Sequence, residues 1–309
     1  MGAINKGTGF SQQERDALGL EGMLAPRSQT LDQQVARAYA NFQEMMSPIK
    51  KYQFLRGLQD RNEVVYFALL VAHIEEMMPI VYTPTVGQAV REFSLRYQVP
   101  RGVTFSKYNI DRADEIFANV PWDDVRMIVV TDSSAILGIG DQGFGGIGIS
   151  IGKLALYTAG GGVSPYQTLP VGLDVGTNSA QHKNDPYYLG VDEPRLTGDE
   201  YLSFADKFIA AVKKRWPNCI IQWEDFSKNE AYNLLARNRE VISSFNDDIQ
   251  GTGAVALAGV LAACAAKGEA LKDQVVAISG AGAGGVGVAW AMVQGMMREG
   301  LSEAEAHAR

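Results

Sequence analysis

The chain has 309 residues, enough for about two domains at roughly 150 residues each and for a sizeable core. Hydrophobic residues make up 46% and charged residues 20%, an ordinary globular balance that excludes extensive disorder. With 28 Lys and Arg against 35 Asp and Glu, the formal charge of -7 argues against an unspecific nucleic-acid binder and leaves small anionic substrates open.

The first hundred residues carry helical signals. Ser11 with Glu14 three positions on fits a capping box. Val35, Ala38, Tyr39 and Phe42 share one face of a helix over 31–44. Val65, Leu69, Ala72 and Glu76 repeat that spacing over 61–77, and Met77-Met78-Pro79 predicts the stop. His73 lies inside this second helix without a His or Cys at i±4, so it reads as a packed histidine. Residues 1–10 hold no apolar segment of the signal-peptide kind, and no uninterrupted apolar run reaches membrane-spanning length. The expected compartment is a reducing cytoplasm, with no membrane partner.

After about residue 100 the pattern changes. Segments 125–131, 169–175 and 219–223 are short, apolar and β-rich, like buried strands, and 149–157 and 201–215 between them read as helices. This alternation predicts an α/β fold with a parallel sheet covered on both faces. A last unit follows: a helix over 254–267, a strand over 274–279, a glycine-rich turn and a helix over 286–298. The expected organisation is a helical N-terminal region over 1–100, a central parallel-sheet substrate domain over 101–250, and the start of a Rossmann-type nucleotide domain over 251–309. Such a domain needs more strands, so the chain is expected to be a fragment. The two cysteines, Cys219 and Cys264, sit in apolar surroundings and read as buried structural thiols.

Three features carry candidate chemistry. Gly280, Gly282 and Gly285 satisfy G-x-G-x-x-G between the expected strand and helix, the arrangement that brings backbone amides and a helix N-terminus to a pyrophosphate. Glu224-Asp225 follow a candidate strand directly, and Asp247-Asp248 open another turn. Two acidic pairs at one site would repel unless a cation joined them, and oxygen-only ligands point to Mg2+ or Mn2+; solvated turns are the equal alternative. Lys153 follows the glycine-rich stretch 138–148, either as a snorkelling surface residue or poised beside a ligand. Tyr82 reads by itself as an ordinary turn aromatic.

The ordered segments Asn5-Lys6-Gly7-Thr8, Val81-Tyr82-Thr83-Pro84-Thr85-Val86-Gly87, Gly138-Ile139-Gly140-Asp141-Gln142-Gly143, Asp174-Val175-Gly176-Thr177-Asn178, Glu224-Asp225-Phe226 and Phe245-Asn246-Asp247-Asp248-Ile249-Gln250-Gly251-Thr252 resemble the malic enzyme family, in its large bacterial and mitochondrial form. The resemblance implies oxidative decarboxylation of malate to pyruvate with NAD, in a homo-oligomer (dimer or tetramer). It implies Tyr82 as general acid, Lys153 as general base and Asp247 as the lysine's partner. It implies Glu224, Asp225 and Asp248 as ligands of Mg2+ or Mn2+, with Asp248 also beside the cofactor. A lysine base with a reference pKa of about 10.4 is expected to be made less basic by burial or by the metal. One segment departs: Asp132-Ser133-Ser134-Ala135 stands where the family usually reads Asp-Gly-Glu-Arg. The arginine-free version resembles malolactic enzymes, which make lactate, so that reaction is the alternative. A non-catalytic fragment or paralogue is the third reading.

Overall fold

The computed structural model describes residues 2–309. The helical N-terminal region is present. Ser11 closes the expected capping box at the start of Gln12–Ala17, and Thr30 closes a second one before Leu31–Gln43. The helix expected over 61–77 is broken instead. Pro48–Arg61, with Pro48 preset for a first turn, is followed by Glu63–Ala72 and Ile74–Val81. The breaks fall at Asn62 and His73, both outside helical backbone angles. The Asn62 side chain accepts from Val65 N and so caps a new start. His73 is packed, its ring stacked on Tyr39 at 3.7 Å. Pro79 does not stop the chain: the helix runs through it to Val81, losing one backbone bond near its end.

The centre is a five-stranded parallel sheet in the order β1-β3-β2-β4-β5. The strands are β1 (Val103–Ser106), β2 (Met127–Thr131), β3 (Thr168–Asp174), β4 (Ile220–Trp223) and β5 (Ser244–Asn246). The middle three match the expected apolar runs. β1 and β5 are too short and too polar to stand out. Helix Gly198–Arg215 covers one face, where Phe208 and Trp216 join Phe105, Phe117 and Trp223 in the main core. Helix Ile147–Gly161 covers the other face and also meets the N-terminal helices, since Ala155 belongs to their core and Ile149 to a smaller cluster with Val86 and Val90. That helix therefore ties the N-terminal region to the sheet. Cys219 and Cys264 are buried free thiols, as expected.

The last unit differs from expectation in one respect. No strand forms over 274–279 among the described residues. A parallel strand needs a neighbour to pair with; Val276 N donates to Arg309 O at 2.8 Å, and no ladder follows. The flanking helices do form, as Thr252–Lys267 and Ala283–Arg298. They approach closely where Gly253 faces Gly287: a Cβ at Gly253 would sit 2.6 Å from Gly287 O, and one at Gly287 would sit 2.2 Å from Ile249 O in the preceding turn. With the π-helical turn Asp247–Gly251 in front of it, the Asp247–Lys267 helix is long and apolar enough to cross a membrane on length and composition. The expectation that no uninterrupted apolar run has that length stands, since Asp247, Asp248, Gln250 and Thr252 interrupt the apolar residues without interrupting the helix.

Candidate active site

The C-terminal edge of a parallel sheet is where loops from separate strands converge and where ligands of open α/β sheets bind. Here β2 delivers Asp132–Ala135, β4 delivers Glu224 and Asp225, and β5 delivers Asp247 and Asp248. The covering helix brings Lys153, and the exit of helix Ile74–Val81 brings Tyr82. Tyr82 reaches the site because the covering helix carries glycine at 152: a Cβ there would sit 2.8 Å from Val81 O and 3.0 Å from the Tyr82 ring.

Lys153 Nζ lies 2.8 Å from Glu224 Oε1 and 2.8 Å from Asp247 Oδ2. Tyr82 OH donates to the same Glu224 Oε1 at 3.1 Å, and the Lys153 ammonium stands 5.1 Å from the centre of the Tyr82 ring. Asp248 Oδ2 accepts from Asp225 N at 2.8 Å. The side chain of Asn246 accepts from Ile249 N at 3.0 Å and so caps the turn that holds both aspartates. A π-helical turn is rare and recurs at functional sites, and this one carries Asp247 and Asp248.

Burial sets the electrostatics. Glu224 is almost fully buried, and burial pushes its carboxyl up to about 7, with Lys153 opposing and Asp248 adding to the rise. Burial also raises Asp248, against the Asp225 amide. For Lys153, burial pulls the ammonium down, but the combined pull of Glu224, Tyr82 and Asp247 outweighs it and leaves the lysine above its ordinary value. In the Lys153–Glu224 pair the proton belongs to the lysine. The expected less basic Lys153 is thus corrected for the site as it stands, because two carboxylates face one ammonium. Burial first, and then the Glu224 charge, raise Tyr82, which stays protonated and able to donate.

The 132–135 segment is held firmly. Arg195, largely buried, pairs with Asp132 at 3.0 Å and Asp141 at 3.2 Å, and Tyr201 OH donates to Asp132 Oδ2 at 2.8 Å. Ser134 Oγ donates to Asp132 Oδ1 at 2.6 Å and accepts from Ser227 N at 2.7 Å. Ala135 N donates to Asp225 O at 3.0 Å, which puts the position lacking arginine directly against a candidate ligand. Both terminal nitrogens of Arg195 are engaged, one with Asp141 and Gly176 O and the other with Asp132. Ser133 and Asp225 have φ of 64° and 57°, the non-glycine residues with left-handed backbone among the described residues, and both lie here. Such strained positions collect at functional sites.

The donors Glu224, Asp225 and Asp248 fit a hard divalent cation in chemistry: all are oxygen donors, buried or partly buried, and desolvation raises the carboxyls of Glu224 and Asp248. As they lie, no three His, Cys, Asp or Glu side chains among the described residues stand in ligating geometry. Glu224 Oε1 faces Lys153 and Asp248 Oδ2 faces the Asp225 amide.

The glycine motif is formed as a turn although its strand is not. Helix Ala283–Arg298 opens immediately after Gly282. Gly280 has φ of 107°, and a Cβ at Gly285 would sit 2.3 Å from Gly280 O, so the turn folds closely onto the helix. A Cβ at Gly284 would sit 3.6 Å from Asp248 O, so the turn and the carboxylates are neighbours. Glu303 and Glu305 lie in helix Glu303–His307, where Glu305 serves the Ser302 capping box.

Reading the sequence alone missed Tyr157 and Gln222. Tyr157 OH donates to Gln222 Oε1 at 2.6 Å, and Gln222 Nε2 donates to Glu224 Oε2 at 2.5 Å. The signals were periodicities: Tyr157 is one helical turn from Lys153, and Gln222 shares a strand face with Glu224.

The chain is similar to known proteins over nearly its whole length. Residues 59–239 match the model of the malic enzyme N-terminal domain, and residues 249–309 match that of the malic enzyme NAD binding domain. Over 306 residues, 99% of the chain, it is 51% identical to a protein of Pectobacterium atrosepticum named NAD-dependent malic enzyme. It is 49% identical to a protein of the same name from Edwardsiella ictaluri, again over 99% of the chain. In each case the match covers 54% of the relative, so the chain spans about half the length of the curated relatives it matches. A crystal structure of malic enzyme from Pyrococcus horikoshii Ot3 aligns with a TM-score of 0.39 and 24% identity, over 74% of this chain and 42% of that one. The matched domains cover the later N-terminal helices, strands β1 to β4 and the glycine turn in order, and the chain belongs to the malic enzyme family.

Proposed function

We propose that the protein converts malate and NAD to pyruvate, CO2 and NADH, using Mg2+ or Mn2+. The observation that carries this reading is that Lys153 Nζ and Tyr82 OH share one carboxylate oxygen, Glu224 Oε1, at 2.8 and 3.1 Å. The reaction needs a base at the C2 hydroxyl and an acid at C3, a short distance apart. Lys153 would take the hydroxyl proton, and Tyr82, held protonated by burial, would return a proton to C3 after CO2 has left. Asp247 anchors the lysine at 2.8 Å. Burial alone lowers Lys153 and its carboxylate partners raise it, so neutralising those partners frees the lysine to act as a base.

Glu224, Asp225 and Asp248 would hold the divalent ion, and Gly280, Gly282 and Gly285 would hold NAD, with Asp248 beside them. Once bound, the ion would stabilise negative charge on the C2 oxygen and the nicotinamide would accept the hydride. The names of the relatives from Pectobacterium atrosepticum and Edwardsiella ictaluri support NAD as the oxidant. A cytoplasmic homo-oligomer, dimer or tetramer, is the form we propose, and light scattering after gel filtration tests the assembly.

A second reading, malate to lactate, is favoured by one observation: Ala135 rather than arginine lies against Asp225. Incubation with malate, Mn2+ and NAD separates the two. Pyruvate with stoichiometric NADH supports the first. Stoichiometric lactate without NADH accumulation installs the second.

A further inference from the structure

We propose that Tyr157 and Gln222 are positioning residues that fix the orientation of the Glu224 carboxylate, which serves the acid, the base and the metal together. The inference builds on the reading of Lys153, Tyr82 and Glu224 given above.

Glu224 has two oxygens with separate duties. Oε1 meets Lys153 Nζ and Tyr82 OH, whereas Oε2 is held by Gln222 Nε2 at 2.5 Å. If the carboxylate turned about its last bond, Oε1 would leave both catalytic side chains at once. Gln222 is completely buried on β4 and two positions before Glu224, so both side chains leave the strand on one face. An amide has a donor end and an acceptor end, and turned over it would offer its oxygen to a carboxylate, which repels it. Tyr157 removes that ambiguity. Its hydroxyl donates to Gln222 Oε1 at 2.6 Å, which leaves the amide's N–H group facing Glu224. Tyr157 itself is fixed relative to Lys153, because the two stand one turn apart on helix Ile147–Gly161. The chain Tyr157–Gln222–Glu224–Lys153 thus closes a ring between one helix and one strand. The base and the carboxylate that holds it are set from both sides by the same two elements.

The arrangement has a consequence that simple packing lacks: Tyr157 acts only through Gln222. Its hydroxyl should matter while the amide is present and be silent once the amide is gone. Outer hydrogen-bond partners of metal ligands typically contribute about 10–100-fold in affinity or activity.

The test is a double-mutant cycle with Gln222→Met and Tyr157→Phe in the intact protein. It reads the Mn2+ dissociation constant from the electron paramagnetic resonance signal of free Mn2+, and kcat and KM for malate separately. We expect Gln222→Met to weaken Mn2+ binding and lower kcat by about tenfold each, with malate KM changed less. Tyr157→Phe should give about threefold in the same two quantities, and the double variant should match Gln222→Met alone. Independent, multiplying effects, or a Tyr157→Phe protein with unchanged Mn2+ affinity and kcat, would overturn the inference. Because Tyr157→Phe keeps the ring and leaves the strand untouched, it decides the matter even if Gln222→Met fails to fold. Wild-type protein that binds no Mn2+ and leaves malate unchanged would overturn both the inference and the reading beneath it. Wild-type binding and turnover with unaltered variants would overturn the inference alone.

Discussion

Lys153 and Glu224 form an ion pair at 2.8 Å with their side chains only 14% and 3% exposed. Removing one partner of such a pair leaves a buried charge uncompensated, so the lysine carries structure as well as the chemistry proposed for it. Lys153→Ala is expected to lower malate turnover by about a thousandfold, within the usual range for a general base. Lys153→Arg keeps the charge but not a proton that can be given up near neutral pH, and it should not restore the rate. Steady-state NADH production checks this; a Lys153→Ala protein within tenfold of wild type would remove the lysine from the base role.

Tyr82 is raised by burial and by the Glu224 charge, so it would enter the proposed reaction protonated. Tyr82→Phe is expected to slow the tautomerisation of enolpyruvate by about a hundredfold, with a smaller effect on hydride transfer. Stopped-flow absorbance of the enol separates the steps. Wild-type tautomerisation in this variant would move the acid elsewhere.

The carboxylate set predicts a loss of ion binding. Asp225→Asn retains the shape and the backbone amide that Asp248 accepts from, but removes a negative charge from the donor set. Mn2+ affinity should fall by at least about tenfold in a direct titration. An unchanged titration would take Asp225 out of the set.

Helix Ala283–Arg298 packs closely on the turn behind Asp248, and a Cβ at Gly287 would meet Ile249 O at 2.2 Å and Ile249 C at 2.8 Å. The obstacle is backbone and does not swing aside. Gly287→Ala should therefore destabilise by about 2 kcal/mol, read as a lower midpoint in urea with little change in slope. A midpoint equal to wild type would show that the two segments can move apart at little cost.

His182 stacks on Tyr188 at 5.1 Å, and burial lowers its pKa while Asp141 and Asp185 oppose the shift. A depressed histidine binds its proton more readily unfolded than folded. Its contribution is therefore complete above the unfolded value of about 6.5 and is lost as pH falls through the folded value. Thermal unfolding of wild type and His182→Gln should converge as pH falls from 7.5 to about 5. A constant gap between the two curves would sink the assignment.

The sequence by itself determined the elements that local chemistry specifies. The apolar runs of β2, β3 and β4, the Ser11 capping box and the glycine turn before Ala283 need only near neighbours in the chain. Their physical causes are side-chain burial, cap hydrogen bonds and backbone freedom. The same holds for the residue types of the site, since Glu224-Asp225 and Asp247-Asp248 are recognisable as acidic turns after strands. Tertiary structure decided what those residues do to one another. No local rule brings Tyr82, Lys153 and Gln222 to one carboxylate, because these contacts cross from helix to strand. Nor does spacing reveal that Lys153 lies above rather than below its ordinary pKa, which depends on how many carboxylates face it. The failures are equally physical. Asn62 breaks an apolar helical pattern because its side chain offers a cap, and residues 274–279 form no strand because a ladder needs a partner as well as a propensity.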